Sequence, residues 1–158
     1  MGKLSAGILL YRKRSDALEV FLVHPGGPFW WRKDQGAWSI PKGEYEKGDD
    51  PIAAAKREFH EETGFAPDDR PLRALGEVRL VSRKTISAWT LEGECDAGAI
   101  RSNLFEMEWP PKSGKLQMFP EVDRAEWFPL RKAHEKIHPA QRAFLERLVE
   151  LVEPQRQP

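Results

Sequence analysis

Residues 43–65 read GEYEKGDDPIAAAKREFHEETGF, and this stretch decides how the rest of the chain is read. Asp50 followed by Pro51 is a helix start, an N-cap side chain with proline at the first helical position. The run 52–63 has helical spacing, and Gly64 is suited to the left-handed turn that ends a helix. At 3.6 residues per turn, Glu61 and Glu62 lie within about 60° of Glu58, on either side of it. Three carboxylates therefore share one face. Phe59, Ile52 and Ala55 form an adjoining apolar stripe, so burying Phe59 and Ile52 is expected to hold the acids at the edge of a core.

Such a cluster is unfavourable by itself. Like charges three and four residues apart repel, and anions at a helix C-terminus oppose the helix dipole. A solvated acidic face is the plainer reading of three glutamates. A hard divalent cation would remove both penalties, and an all-oxygen donor set suits Mg²⁺ or Mn²⁺.

Working outward, residues 4–11 (LSAGILLY) and 18–24 (LEVFLVH) read as two strands joined by a polar turn over 12–17, a hairpin. Residues 25–36 form a loop rich in Gly, Pro and Trp, and 37–40 a short strand stopped by Pro41. Strand-like segments follow at 72–82 and 85–94. A Trp109-Pro110-Pro111 break and a Ser113-Gly114 turn interrupt 103–120, and a short strand is expected at 125–128. Residues 139–152 make an amphipathic helix with Phe144, Leu145, Leu148, Leu151 and Val152 on or near one face. This order predicts an α+β protein, an α/β/α sandwich around a mixed sheet.

The chain has 158 residues, the length of a single domain spanning 1–158. It carries 25 basic and 25 acidic side chains. Zero net charge argues against general coating of a polyanion, so no stable nucleic-acid complex is expected. The zero hides two opposed patches. Residues 43–62 hold seven acidic side chains against three basic ones, and residues 70–84 hold five basic against one acidic. The lone Cys95 excludes an internal disulfide and a multi-cysteine zinc site. No apolar run approaches the roughly 20 residues of a membrane span, and the start has no signal-peptide layout. A cytoplasmic protein with no membrane contact is the expectation. Nothing in the sequence indicates an oligomeric state.

The spacing G-x5-D-x7-R-E-F-x-E-E-x-G-F runs through Gly43, Asp49, Arg57, Glu58, Phe59, Glu61, Glu62, Gly64 and Phe65. It closely resembles the signature of the Nudix hydrolases, G-x5-E-x7-R-E-U-x-E-E-x-G-U with U a bulky apolar residue. Asp49 stands where that family has glutamate. The resemblance implies the Nudix fold, a mixed sheet between helices with the signature as loop–helix–loop. It also implies metal-dependent hydrolysis of a pyrophosphate linkage in a nucleoside diphosphate derivative.

By that resemblance Glu61 and Glu62 match the metal-binding pair, and Glu58 a ligand or the general base. Gly43 would offer its carbonyl to the metal. Arg57 would pair with Asp49 and stiffen the loop, unless the two form an ordinary surface ion pair. Glu121 is the candidate for an additional acid, with Glu106 and Glu108 as competitors. Lys42 is placed to meet a phosphate, and Arg79, Arg83 and Lys84 are further candidates from neighbouring strands. Of the loop aromatics, Trp30 or Trp31 is expected at the substrate and Trp38 in the core. His60 falls opposite the carboxylates, on the surface.

The resemblance points to bacterial members related to diadenosine-tetraphosphate hydrolases, so a dinucleoside polyphosphate is the expected substrate. That group usually carries a tyrosine shortly after the signature, and residues 79–83 (RLVSR) have none. A pyrophosphohydrolase of oxidised (d)NTPs is the alternative. A non-catalytic nucleotide-binding module ranks below both, because all three glutamates are retained.

Overall fold

The computed structural model describes residues 2–67 and 69–153. A six-stranded mixed sheet is built from β1 (Leu4–Arg14), β2 (Ala17–Pro25), β3 (Lys42–Tyr45), β4 (Arg73–Arg79), β5 (Thr85–Glu92) and β8 (Val122–Pro129). The strand order is β4-β5-β1-β2-β8, with β3 also paired to β1. Strands β1 and β5 run parallel and the other pairs antiparallel. Strand β1 is buried from Ser5 to Tyr11, as its continuous apolar run requires of a central strand. The β1–β2 hairpin closes at Ser15-Asp16, whose positive φ values of 51° and 66° suit a two-residue turn.

Side chains alternate across β1. Leu9 and Tyr11 enter one core and Ala6, Ile8 and Leu10 the other. The first core is covered by α2 (Leu130–Lys136) and α3 (Arg142–Val152), through Ala133, Phe144, Leu145 and Leu148. The second is covered by α1 (Pro51–Thr63), through Ala54, Ala55 and Phe59. This is the expected sandwich.

Helix α1 begins and ends as its sequence predicts. The Asp50 carboxylate accepts from the Ile52 N–H at 3.2 Å. Gly64 adopts φ 83° and donates its N–H to the His60 carbonyl at 2.8 Å. Phe59 is 2 % exposed and meets Phe21 with ring centroids 6.2 Å apart. Ile52 departs from expectation and is 37 % exposed. It sits in the first helical turn, and Ala54, Ala55 and Phe59 supply the buried face instead.

Other elements also differ. Residues 37–40 form no strand, only isolated bridges of Ser39 to Val23 and Trp38 to Ile137. The segment 139–152 divides into a 3₁₀ turn (Pro139–Gln141) and α3. Helix α2 has one buried residue, Ala133, so it lacks an apolar period to betray it. Residues 103–120 contain a separate hairpin of β6 (Leu104–Glu108) and β7 (Leu116–Pro120).

The aromatic loop after β2 is tied down from both ends. The buried His24 ring holds Asp123 Oδ1 at 2.8 Å and the Lys33 carbonyl at 2.6 Å. Trp38, 2 % exposed as expected of a core residue, donates its indole N–H to Asp34 at 2.9 Å. Lys136 pairs with the same carboxylate. No helix among the described residues is long and apolar enough to cross a membrane.

Phe59 clamps the signature helix to the sheet, so Phe59→Ala is expected to lower unfolding stability by about 3–5 kcal/mol, read by urea denaturation.

Candidate active site

The site forms where β3 meets the C-terminal half of α1. Gly7 and Ala6 of β1 pair with Lys42 and Gly43, so Gly43 lies on a strand and not in a loop. The Glu58 side chain lies against it. A Cβ added at Gly43 would fall 2.0 Å from Glu58 Oε2, inside any tolerable contact. Glycine is required here by the carboxylate that packs on its α-carbon. One residue earlier, the Lys42 N–H reaches Glu62 Oε1 at 3.3 Å.

The helix end also places Glu121. The Thr63 and Glu61 carbonyls accept from the Arg101 and Asn103 N–H groups, at 2.8 and 2.7 Å. The Asn103 carbonyl in turn accepts from the Glu121 N–H at 2.9 Å, and Gly26 donates to the Glu121 carbonyl at 2.8 Å. Four backbone bonds therefore connect α1, the segment after the 3₁₀ turn Ala97–Ala99, Glu121 and the aromatic loop. Glu121 lines the same cavity as Lys42 and Glu62. Glu106 and Glu108 lie on the β6–β7 hairpin away from it, and Glu108 accepts from the Lys112 N–H at 2.7 Å.

Burial raises the Glu58 carboxyl above its ordinary range, and Glu61 repels its charge further, against the pull of Arg57. Burial pushes Glu62 up to about 8, opposed by the Lys42 charge and N–H. Glu121 is also raised, again first by burial. Lys42 is lowered by burial and by Lys84. Glu62, Glu44 and Glu121 oppose that lowering through their charge, so acids and the Lys42 ammonium share this part of the site.

Arg57 does not pair with Asp49. Its guanidinium reaches Glu58 Oε1 at 3.3 Å, Glu61 Oε1 at 4.0 Å and the Glu44 carbonyl at 3.4 Å. Asp49, a methylene shorter than glutamate, accepts instead from the Glu46 N–H at 3.3 Å within its own turn. It closes that turn without the arginine.

Among the described residues no three Asp, Glu, His or Cys side chains converge as a formed metal cluster. Glu58 and Glu61 turn to Arg57 and Glu62 to Lys42. The donor chemistry still fits a hard cation. It is all oxygen, partly desolvated, and laid against a glycine whose bare α-carbon lets Glu58 approach the strand.

The cavity beside these acids has a volume of about 330 Å³, and its walls include Trp30, Leu80, Ser39, His138 and Gln141. Trp30 is thus the loop aromatic that lines this cavity. Trp31 does not reach this cavity; it is 54 % exposed, with the Arg32 guanidinium 4.5 Å over its ring. Arg79 and Arg83 line a separate cleft of about 810 Å³ with Lys3, Glu44, Glu46 and Lys47. Lys84 stays close enough to the first site to act on Lys42. His60 is exposed, as expected. The sequence reading missed His138 and Gln141. The His138-Pro139 pair is a cap-and-start signal for the 3₁₀ turn, and the His138 ring does accept from the Ala140 N–H at 3.1 Å.

Gly43→Ala is expected to leave the protein folded by circular dichroism while displacing Glu58, with activity falling about a hundredfold or more in a phosphate-release assay.

The chain matches the NUDIX domain family over residues 1–148. It is 32% identical over 126 residues to the RNA pyrophosphohydrolase of Brucella anthropi, covering 71% of this chain and 67% of that protein. It is 28% identical over 156 residues to the 8-oxo-(d)GTP phosphatase of Mycolicibacterium smegmatis, covering 92% of this chain but 41% of that protein. In three dimensions it is similar to the C. elegans Ap4A hydrolase in a binary complex, with a TM-score of 0.63, 21% identity, and 95% and 97% of the two chains covered. The signature helix, its glycine-backed carboxylates and the mixed sheet that holds them belong together: this chain is a member of the Nudix hydrolase family.

Proposed function

We propose that this chain hydrolyses a pyrophosphate bond of a nucleoside polyphosphate with Mg²⁺ or Mn²⁺, the base entering the cavity beside Trp30 and the phosphates lying along Lys42. The observation that carries this reading is the grouping of the half-buried Glu62 with Glu121 and Lys42 along a base-sized cavity. Its volume lies at the lower end of ligand pockets, about 300–1,000 Å³.

Glu58, Glu61 and Glu62, with the Gly43 carbonyl and Glu121, are the residues that would hold the cation. Bound there, it would neutralise the phosphates and acidify the attacking water. Lys42 orients a phosphate with its ammonium. Glu58, raised by burial and pressed against Gly43, is placed to take up the water's proton. Arg57 holds Glu58 and Glu61 from outside, a positioning task. Trp30 offers a ring face to the base.

The substrate carries a further group beyond the scissile anhydride. A dinucleoside polyphosphate such as diadenosine tetraphosphate is one form, and the 5′-phosphorylated end of an RNA is another. The cleft of Lys3, Lys47, Arg79 and Arg83 favours both over a mononucleotide, because it offers phosphate-binding cations next to Glu44, one residue from Gly43. An oxidised (d)NTP, suggested by the mycobacterial relative, leaves that cleft unused.

A phosphate-release panel over diadenosine tetraphosphate, 5′-triphosphorylated RNA, 8-oxo-dGTP, dGTP and ADP-ribose tests the reading. Turnover is expected on a substrate with a second phosphate-bearing group, and Glu62→Gln should lower it by about 10²–10⁴-fold with the fold retained. A folded protein inert on all five would overturn it. A cation must displace the proton that burial keeps on Glu62, so Mg²⁺ affinity should rise with pH up to about 8, by as much as about tenfold per unit. Calorimetry in buffers of different ionisation enthalpy should show proton release at pH 7.

A further inference from the structure

We infer that the cavity beside Trp30 reads the O6 and N7 edge of a 6-oxopurine, selecting guanine over adenine and over 8-oxoguanine, through hydrogen-bond donors fixed on His138 and Gln141. This rests on the base placement proposed above and turns the expected substrate from adenosine-bearing to guanosine-bearing forms.

The donor polarity follows from the bonds these two side chains already make. The Ala140 N–H is 3.1 Å from His138 Nδ1, and a backbone donor can be met only by a bare ring nitrogen. In the neutral ring the proton therefore sits on Nε2, which leaves His138 a donor there. Partial burial and the nearby Lys42 lower the His138 pKa and so disfavour the charged ring. Gln141 is fixed in the same way. The Ile40 N–H reaches its Oε1 at 3.1 Å, so that end of the amide is the oxygen. Its Nε2 gives one hydrogen to Ser39 Oγ at 3.0 Å, and the Ser39 hydroxyl gives its own to the Ile40 carbonyl at 2.7 Å. The second Nε2 hydrogen has no acceptor among the described residues, although Gln141 is only 3 % exposed.

Both side chains leave the same short turn. His138 caps the turn, and the Gln141 N–H donates to the His138 carbonyl at 2.8 Å, which holds the two residues together. Both line the cavity. Of the other polar side chains lining it, Glu62 and Glu121 stand with Lys42 and belong to the phosphate end of the site, and the Ser39 hydroxyl is engaged by Gln141 and the Ile40 carbonyl.

A ligand edge that answers two donors must carry two acceptors. Guanine presents O6 and N7, both acceptors. Adenine presents N7 but also an N6 amine, which would face a donor. In 8-oxoguanine N7 carries a hydrogen, so the same edge again offers one acceptor and one donor. A mismatched edge sets a donor against a donor and leaves the buried Gln141 N–H unpaired.

Dissociation constants for GDP, IDP, ADP and 8-oxo-GDP, measured by calorimetry on the full chain with Mg²⁺, test this. GDP and IDP should bind alike, about tenfold or more tighter than ADP and 8-oxo-GDP. His138→Ala removes one donor, and Gln141→Glu replaces the free N–H with an acceptor while keeping an oxygen for Ile40. Each should shrink the preference to within about threefold. Equal binding of GDP and ADP by the unaltered protein overturns the inference and leaves the proposed base site standing. An undiminished preference in folded His138→Ala and Gln141→Glu also overturns it. If none of the four nucleotides binds, the base-site placement itself is wrong and the inference falls with it.

Discussion

The structure depends on one constraint, that a single helix must bury one side and keep charges on the next. Phe59 enters the core between Glu58 and the Glu61–Glu62 pair in sequence, and it contacts Phe21 from the sheet. Its burial leaves Glu58 no place but against Gly43 and brings Glu62 to the Lys42 N–H. The apolar clamp and the acidic edge are therefore the same event. The favourable burial of Phe59 offsets the repulsion among carboxylates that a free helix would not tolerate.

Around that helix the fold acts mainly as a holder. Strand β1 divides its edge, pairing first with β3 and then with β2, and so sets Gly43 opposite Ala6. The carbonyls at the end of α1 are met by the segment that leads on to Glu121. The same backbone contacts extend to Gly26 at the base of the aromatic loop. His24 and Trp38 anchor the other parts of that loop from within the core. Three separate stretches of chain thus reach one cavity with little freedom in how they arrive.

The two opposed charge patches of the sequence also meet in space. Glu44, Glu46 and Lys47 share a cleft with Arg79 and Arg83. Part of the chain's charge balance is therefore made of acids and bases that face each other across this cleft. The desolvation that raises Glu58, Glu62 and Glu121 comes from the neighbouring surfaces and from no property of the glutamates themselves.

Much was legible in residues 43–65 because a helix is a local object. Its start at Asp50-Pro51, its end at Gly64 and the shared face of Glu58, Glu61 and Glu62 follow from backbone geometry that needs no distant partner. The strands were readable for the same reason, from alternation and turn residues. Other features were not local. Ile52 fell off the buried face because alanines pack closer to the sheet, and Arg57 turned to Glu58 and Glu61 because Asp49 was held in its own turn. Helix α2, with Ala133 alone buried, had no period to read. Sequence by itself determined the family, the helix and its acidic face. Only the tertiary structure decided that Glu121, Trp30, His138 and Gln141 share a cavity with Lys42 and Glu62, because residues up to about a hundred positions apart are joined only by long-range packing and backbone bonds.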